Sequence, residues 1–318
     1  MSPARAAARR PELGIALVVL MAACFATMDT TIKTIGVVVP VLVILCARYG
    51  VQAATMGLWL LRSRRQPGGA SFRAGHPRFQ LVRGLLLLAS SMFGFFGLQH
   101  LPLAEFTAIN MLTPVVVTLL AGWLLHERIS ALRWVLVGGG FVGALIVIRP
   151  GSGLFGWAVL LPIAGSVTYA SFQVLTSRYA ALESPYTTHF YTGLTGSLVI
   201  AALLIASPID LLPAMRAAEP RHLGALLLIG LLGTAGHLML VIAFGLAPAS
   251  TLTPFLYAQI GFAALIGWLA FRHAPDGWGW LGIGVIAVSG AGSAWLNVRE
   301  AAARALPVSA LGVDSISD

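Results

Sequence analysis

Long apolar runs separated by short polar loops dominate the chain. Ten of them predict helices at about 13–33, 37–61, 81–99, 103–125, 132–149, 155–178, 186–206, 222–244, 248–271 and 277–297. Runs of this length read as helices and not strands, because a helix satisfies its own backbone hydrogen bonds in lipid, where each unpaired group costs several kcal/mol. The eighth and ninth runs touch through Leu246-Ala247-Pro248, so a single kinked helix there is the alternative and would lower the count to nine. Beyond Ala301 the chain turns polar, as a disordered tail does.

The pattern also repeats. Sliding the chain by 145 residues aligns Leu101 with Leu246, Ala104 with Ala249, Leu120 with Leu265, Gly122-Trp123-Leu124 with Gly267-Trp268-Leu269, Leu136 with Leu281 and Gly139 with Gly284. Five spans per half is an odd number, so the halves insert upside down relative to each other. Inverted repeats are a transporter architecture, with the substrate site near the midplane between the halves. The expected fold is therefore all-α and integral to the membrane, with ten transmembrane helices in two inverted five-helix repeats. The predicted units are 13–149, 155–298 and a cytoplasmic tail, 299–318.

Composition narrows the picture further. Of 318 residues 58% are hydrophobic and 10% charged, against roughly 25% charged in soluble domains. That excludes a soluble globular protein and leaves no length for a separate soluble domain. The net charge of +9 resides on arginines and a single lysine, Lys33. With the N-terminus inside, the inner segments hold Arg5, Arg9, Arg10, Arg62, Arg64, Arg65, Arg73, Arg78, Arg83, Arg128, Arg133, Arg178, Arg299 and Arg304, which is 14 of the 20 basic residues. The positive-inside rule thus places both termini in the cytoplasm and explains the charge without a nucleic-acid partner. The basic N-terminus ahead of Leu13–Ala26 imitates a signal peptide, but the many later spans make it an uncleaved first helix. Cys24 and Cys46 lie within apolar runs, with no metal or redox spacing.

Enzyme signatures fail on context. Gly138 to Gly143 and Gly151 to Gly156 satisfy G-x-G-x-x-G, yet neither follows a strand. Gly139 and Gly143, four apart, instead suit a close helix crossing. His126-Glu127 lacks the second histidine of a zinc motif, and neither a nucleophile elbow nor a P-loop is present. No cofactor is expected.

Ionisable groups inside spans are costly and point to function. Asp29 and Lys33 share a face of the first helix and can neutralise each other, and Arg48 lies about halfway along the second. Read functionally, Lys33 and Arg48 line a polar cavity while Asp29 holds Lys33; read structurally, Lys33 snorkels to headgroups and Arg48 only bridges helices. Glu105 and His237 are candidates for proton coupling. Asn110, Thr113, Tyr169, Gln173, Tyr257 and Gln259 are candidates to contact substrate, within a polar series that also holds Pro114, Ser166, His189, Tyr191, Thr253 and Pro254. The two prolines are expected to loosen the fourth and ninth helices and free carbonyls there.

Several of these segments resemble the EamA-type permeases of the drug/metabolite transporter superfamily. The similarity rests on Leu101-Pro102-Leu103-Ala104, Leu112-Thr113-Pro114, His126-Glu127-Arg128, Gly143 and Ile148-Arg149-Pro150-Gly151. It also rests on Phe25, Asp29, Lys33, Pro40 and Arg48, and in the second half on Ala247-Pro248-Ala249-Ser250, Pro254-Phe255, Tyr257 and Gly267. The resemblance spans about 13–298 and implies ten helices, a central cavity and alternating access in a bacterial inner membrane. One departure is Phe271-Arg272-His273, where the family usually carries a Gly-Glu pair. The implied function is secondary transport of a small polar or amphipathic metabolite or drug, with the lipid bilayer as its surroundings; a homodimer is left open, as are substrate, direction and coupling ion. A membrane receptor or assembly subunit, and an integral-membrane enzyme, are the competing classes.

Overall fold

A computed structural model describes residues 10–63, 65, 71–124, 130–149, 156–179, 182–207, 219–247 and 252–305. Every regular element among them is helical: α1 (Pro11–Ile35), α2 (Val41–Ser63), α3 (Pro77–His100), α4 (Leu103–Asn110), α5 (Thr113–Leu124), α6 (Ala131–Ile148), α7 (Leu160–Tyr179), α8 (Pro185–Ala206), α9 (Pro220–Leu246), α10 (Ala258–Phe271) and α11 (Gly277–Ala305). Among the described residues, six helices are long and apolar enough to cross a membrane: α1, α2, α3, α7 with its leading 3₁₀ turn from Gly156, α8 and α9. Proline opens α1, α3, α8 and α9. Its fixed φ suits a first helical turn, and its missing N–H costs nothing there.

The fourth predicted helix is two pieces. Helix α4 ends at Asn110, Met111 and Leu112 form a turn, and α5 resumes at Thr113, just ahead of Pro114. Proline cannot donate to the carbonyl four residues back, and Thr113 Oγ1 fills the gap by donating to Asn110 O at 2.7 Å. The eighth and ninth predicted helices are separate: α9 stops at Leu246, Ala247 is extended (φ −150°, ψ 156°), and a 3₁₀ turn over Thr253–Tyr257 leads into α10. Pro248 lies outside the described residues, as do Glu127 and residues 306–318. Helix α11 continues past 298 to Ala305.

Helix α1 packs along α9 and α10, α7 along α3 and the α4–α5 pair, α2 along α8 and α9, α3 also along α8, and α6 along α11. The α6–α11 contact is close because glycines face it. A Cβ on Gly143 would stand 2.7 Å from Ile286 Cγ1 and 2.9 Å from Gly282 O, so the reading of Gly139 and Gly143 as a close crossing fits this geometry. Tryptophans 59, 123, 268, 278, 280 and 295 are exposed on the outside of the bundle, where aromatic side chains suit the membrane–water boundary.

Polar contacts group the loops at two ends. At one end His76 pairs with Glu183 at 2.9 Å, and Thr187 and Tyr191 donate to Ser71 O and Phe72 O. At the other, Arg149 pairs with Asp276 at 2.8 Å and His273 with Glu105 at 3.2 Å. The Gly279 backbone N–H, donating to Asp276 from 2.8 Å, and then the Arg149 guanidinium hold the Asp276 carboxyl below its ordinary range.

Candidate functional site

A cavity of about 80 Å³ lies at mid-length of the bundle, lined from eight helices. Helix α1 contributes Met21, Phe25, Met28 and Asp29, and α2 contributes Arg48. Helix α3 adds Leu87, Ser90, Ser91, Gly94 and Phe95, spaced to share one face. The broken fourth segment adds Phe106, Asn110, Met111 and Thr113, and the wall is completed by Tyr169 of α7, His237 of α9, Leu256 of the 3₁₀ turn and Gln259 of α10. Seven of the residues singled out in the sequence therefore converge: Asp29, Arg48, Asn110, Thr113, Tyr169, His237 and Gln259.

Asp29 and Arg48 bring opposite charges to this space without forming an ion pair. Gln259 Nε2 donates to Asp29 Oδ2 at 3.4 Å. Arg48, 1% exposed, donates from Nη1 to Ser91 Oγ at 3.2 Å and lies 4.5 Å from the centre of the Tyr49 ring. Ser91 donates its own proton to Leu87 O at 2.8 Å, so its oxygen is free to accept from Arg48 and from Tyr49 Oη at 2.9 Å.

Three buried polar atoms on the wall have no protein partner: Arg48 Nε, the Tyr169 hydroxyl and His237 Nε2. His237 donates from Nδ1 to Gly233 O at 3.1 Å, which leaves Nε2 as an acceptor in the neutral ring. Its ring lies 4.6 Å from that of Phe25. Buried polar groups normally find partners, so a donor, an acceptor and a hydroxyl left open around one space suit a polar guest. The aromatic rings beside them suit its apolar body.

Other candidates lie elsewhere. Lys33 does not pair with Asp29, correcting the expectation from their spacing. Its Nζ reaches across to α3 and donates to Leu98 O at 2.8 Å and Leu101 O at 2.7 Å. Carbonyls at a helix C-terminus lack intrahelical partners and carry partial negative charge, so an ammonium is drawn there. Lys33 lines a second pocket, of about 340 Å³, with Gln99, His100, Leu103, Phe271 and His273 among its walls. Glu105 sits beside that pocket, 8% exposed, bonded to the 51%-exposed His273. Gln173 is fully buried, and Tyr257 packs into the core by α6 and α11; neither lines the central cavity.

Sequence reading missed Ser90 and Ser91, although a serine pair in a leucine-rich span was the available signal. It also misplaced Arg83. Counted among the inner surface charges, Arg83 is 0% exposed and is held by Thr176, Thr188 and Thr192. Its partners are more than ninety residues away in sequence, which no local pattern reports. His189 is likewise fixed: Nε2 donates to Thr234 O at 3.0 Å, and Nδ1 accepts from Gln52 Nε2 at 3.2 Å.

Comparison with known proteins gives the chain's family. The model of the EamA-like transporter family matches residues 12–149 and again 156–294. The chain belongs to the EamA-like transporter family. It is 30% identical to a riboflavin transporter of Rhizobium johnstonii over 72% of this chain and 74% of that one. It is 26% identical to an S-adenosylmethionine uptake transporter of Rickettsia bellii, covering 66% and 69% of the two chains. With a pseudopaline exporter of Pseudomonas aeruginosa it shares 29% identity over 83% and 89%. A solved crystal structure at 19% identity has a TM-score of 0.63 over 91% of this chain and 97% of its own, a likeness of fold. This EamA-like protein is thus a multi-pass membrane permease of the drug/metabolite transporter superfamily, and its family ties place it with transporters, not enzymes. The receptor and assembly-subunit alternatives are not favoured.

Proposed function

We propose that this permease carries a small amphipathic metabolite, with an apolar or aromatic body and polar groups, across the bacterial inner membrane by alternating access around the central cavity. The observation that carries this reading is the set of unpartnered buried atoms of Arg48, Tyr169 and His237 around one space that Asp29 also lines. Asp29, Arg48, Asn110, Thr113, Tyr169 and Gln259 are the residues assigned to substrate. Gln173 and Tyr257, outside the wall, support the helices that form it. His237 Nε2 is the cavity group suited to exchanging a proton, whereas Glu105, paired with His273, belongs to the opposite-end pocket with Lys33. The cavity is lined by residues of one chain, and the transport reading invokes no homodimer.

Ten spans in two inverted repeats, 13–149 and 155–298, underlie the mechanism. The reading is supported by the helix pairing. Exchanging α1, α2, α3, the α4–α5 pair and α6 for α7, α8, α9, α10 and α11 converts α1–α9 into α7–α3, α1–α10 into α7–α4–α5, and α2–α9 into α8–α3, while α2–α8 and α6–α11 map onto themselves. An orientation with both termini inside follows from the arginine distribution and puts the Lys33 pocket on the outer side. At about 80 Å³ the central cavity is far smaller than the roughly 300–1,000 Å³ typical of ligand sites; the substrate-bound state is a wider one, reached as the halves rock. The relatives' names span uptake and export, and the same cavity serves either direction.

The test is untargeted mass spectrometry of metabolites inside and outside cells expressing wild type, Asp29→Asn or Arg48→Gln at equal membrane levels. A compound redistributed by wild type and not by the variants identifies the substrate and supports the assignment. Equal redistribution by all three moves the site elsewhere, and no redistribution by wild type counts against the transport reading in those cells.

A further inference from the structure

The face of α3 that borders the cavity continues beyond it. Gly94, Ser90 and Leu87 line the cavity, and Arg83 follows one turn further toward the start of α3, about 10 Å from Ser90 along the axis. On α7 the same direction runs from Tyr169 through Phe172 and Gln173 to Thr176. The two stripes face each other: Arg83 Nε donates to Thr176 Oγ1 at 2.8 Å, its Nη1 donates to Thr188 O at 3.3 Å and to Thr192 Oγ1, and its guanidinium lies 4.5 Å from the centre of the Phe172 ring.

Arg83 is a full positive charge with no exposure and no carboxylate partner among the described residues; its hydrogen-bond acceptors are all neutral. Its Nη2 has no partner, nor has either amide atom of the equally buried Gln173. Burying an ion without a counter-ion is costly, and a bridge between helices would be made more cheaply by a neutral side chain. Its unpartnered Nη2, flanked by hydroxyls, leaves a charged N–H group able to donate to a carboxylate or phosphate oxygen.

We propose that Arg83 is an anion-binding subsite on the translocation path. It lies between the central cavity and the end of the bundle where α3 begins and α7 ends, and receives a carboxylate or phosphate group of the transported molecule as α3, α7 and α8 separate. This rests on the transport reading above and adds to it that the substrate is an organic anion whose charged group is held at Arg83, outside the central cavity.

Inorganic phosphate is the probe. The thermal unfolding midpoint of the full-length protein, in phosphatidylcholine nanodiscs, is followed against phosphate concentration at constant ionic strength for wild type, Arg83→Gln and Arg48→Gln. The expected result is a saturable rise in wild type that survives in Arg48→Gln and weakens at least about tenfold in Arg83→Gln, the loss of one charge-assisted contact. If Arg83→Gln does not fold, Arg83→Lys carries the test: it keeps the charge and loses the Nη2 group that the threonines hold in place, and a dissociation constant raised several-fold is expected. No saturable rise in wild type, a rise lost only in Arg48→Gln, a rise kept by every variant, or an unchanged constant in Arg83→Lys each overturns the proposal. So does a wild-type midpoint that rises when phosphatidylglycerol is added to the disc and then no longer responds to phosphate, which assigns the site to a lipid headgroup. Phosphate binding is read at equilibrium without transport, so its failure leaves the permease reading intact, and a failed metabolite assay leaves this result interpretable.

Discussion

Replacing Lys33 by methionine separates a clamp from a substrate ligand. The change keeps the length of the side chain and removes the two hydrogen bonds to Leu98 O and Leu101 O, at 2.8 and 2.7 Å. A hydrogen bond from a charged donor contributes about 1.5–3 kcal/mol when fully buried. Lys33 is only partly buried, so water replaces some of this, and the interaction with the C-terminal end of α3 adds a few tenths of a kcal/mol. The net loss is about 2 kcal/mol, or roughly 3 °C in unfolding midpoint for a chain of this size. The assay is thermal unfolding of purified Lys33→Met, run beside equilibrium binding of the substrate once it is identified. Destabilisation with binding affinity kept is the expected outcome, because Lys33 does not line the central cavity. A variant that melts like wild type yet no longer binds would refute the reasoning and return Lys33 to the substrate site.

Three further outcomes follow from other parts of the molecule. Gly143→Val pushes α6 off Ile286 and Gly282 and should destabilise by about 1–3 kcal/mol, seen as a lower unfolding midpoint; a wild-type midpoint removes the close-crossing explanation. The Asp276 carboxyl is held below its ordinary range in the folded protein, so its stabilisation is complete above the unfolded value and disappears as pH falls through the folded one; Asp276→Asn should abolish that part of the acid sensitivity, and identical acid profiles would contradict it. His237→Gln should uncouple transport from an imposed pH gradient in proteoliposomes, whereas a variant that still responds fully relieves His237 of that role.

Much of the helix pattern was legible because span length and apolar composition are local properties, and even the break before Thr113 was announced by Pro114. Asp29 and Arg48 were legible for a related reason: a charge inside an apolar run needs no partner in view to be noticed. What stayed hidden was long-range. Spacing suggests that Lys33 answers Asp29, but the C-terminal carbonyls of α3, some sixty-five residues on, offer a better partner. Arg83 reads as a flanking charge because it follows Arg78 near a helix start, and only the folded bundle surrounds it with threonines from α7 and α8.

The most direct test of the central claim is the accessibility of the cavity from each side of the membrane. Ser90→Cys, in a chain whose Cys24 and Cys46 are replaced by alanine, is exposed to a membrane-impermeant maleimide in right-side-out and in inside-out vesicles. A carrier that alternates around this cavity is labelled from both sides, and the substrate slows both reactions. Labelling from one side alone, or from neither, contradicts alternating access at this site.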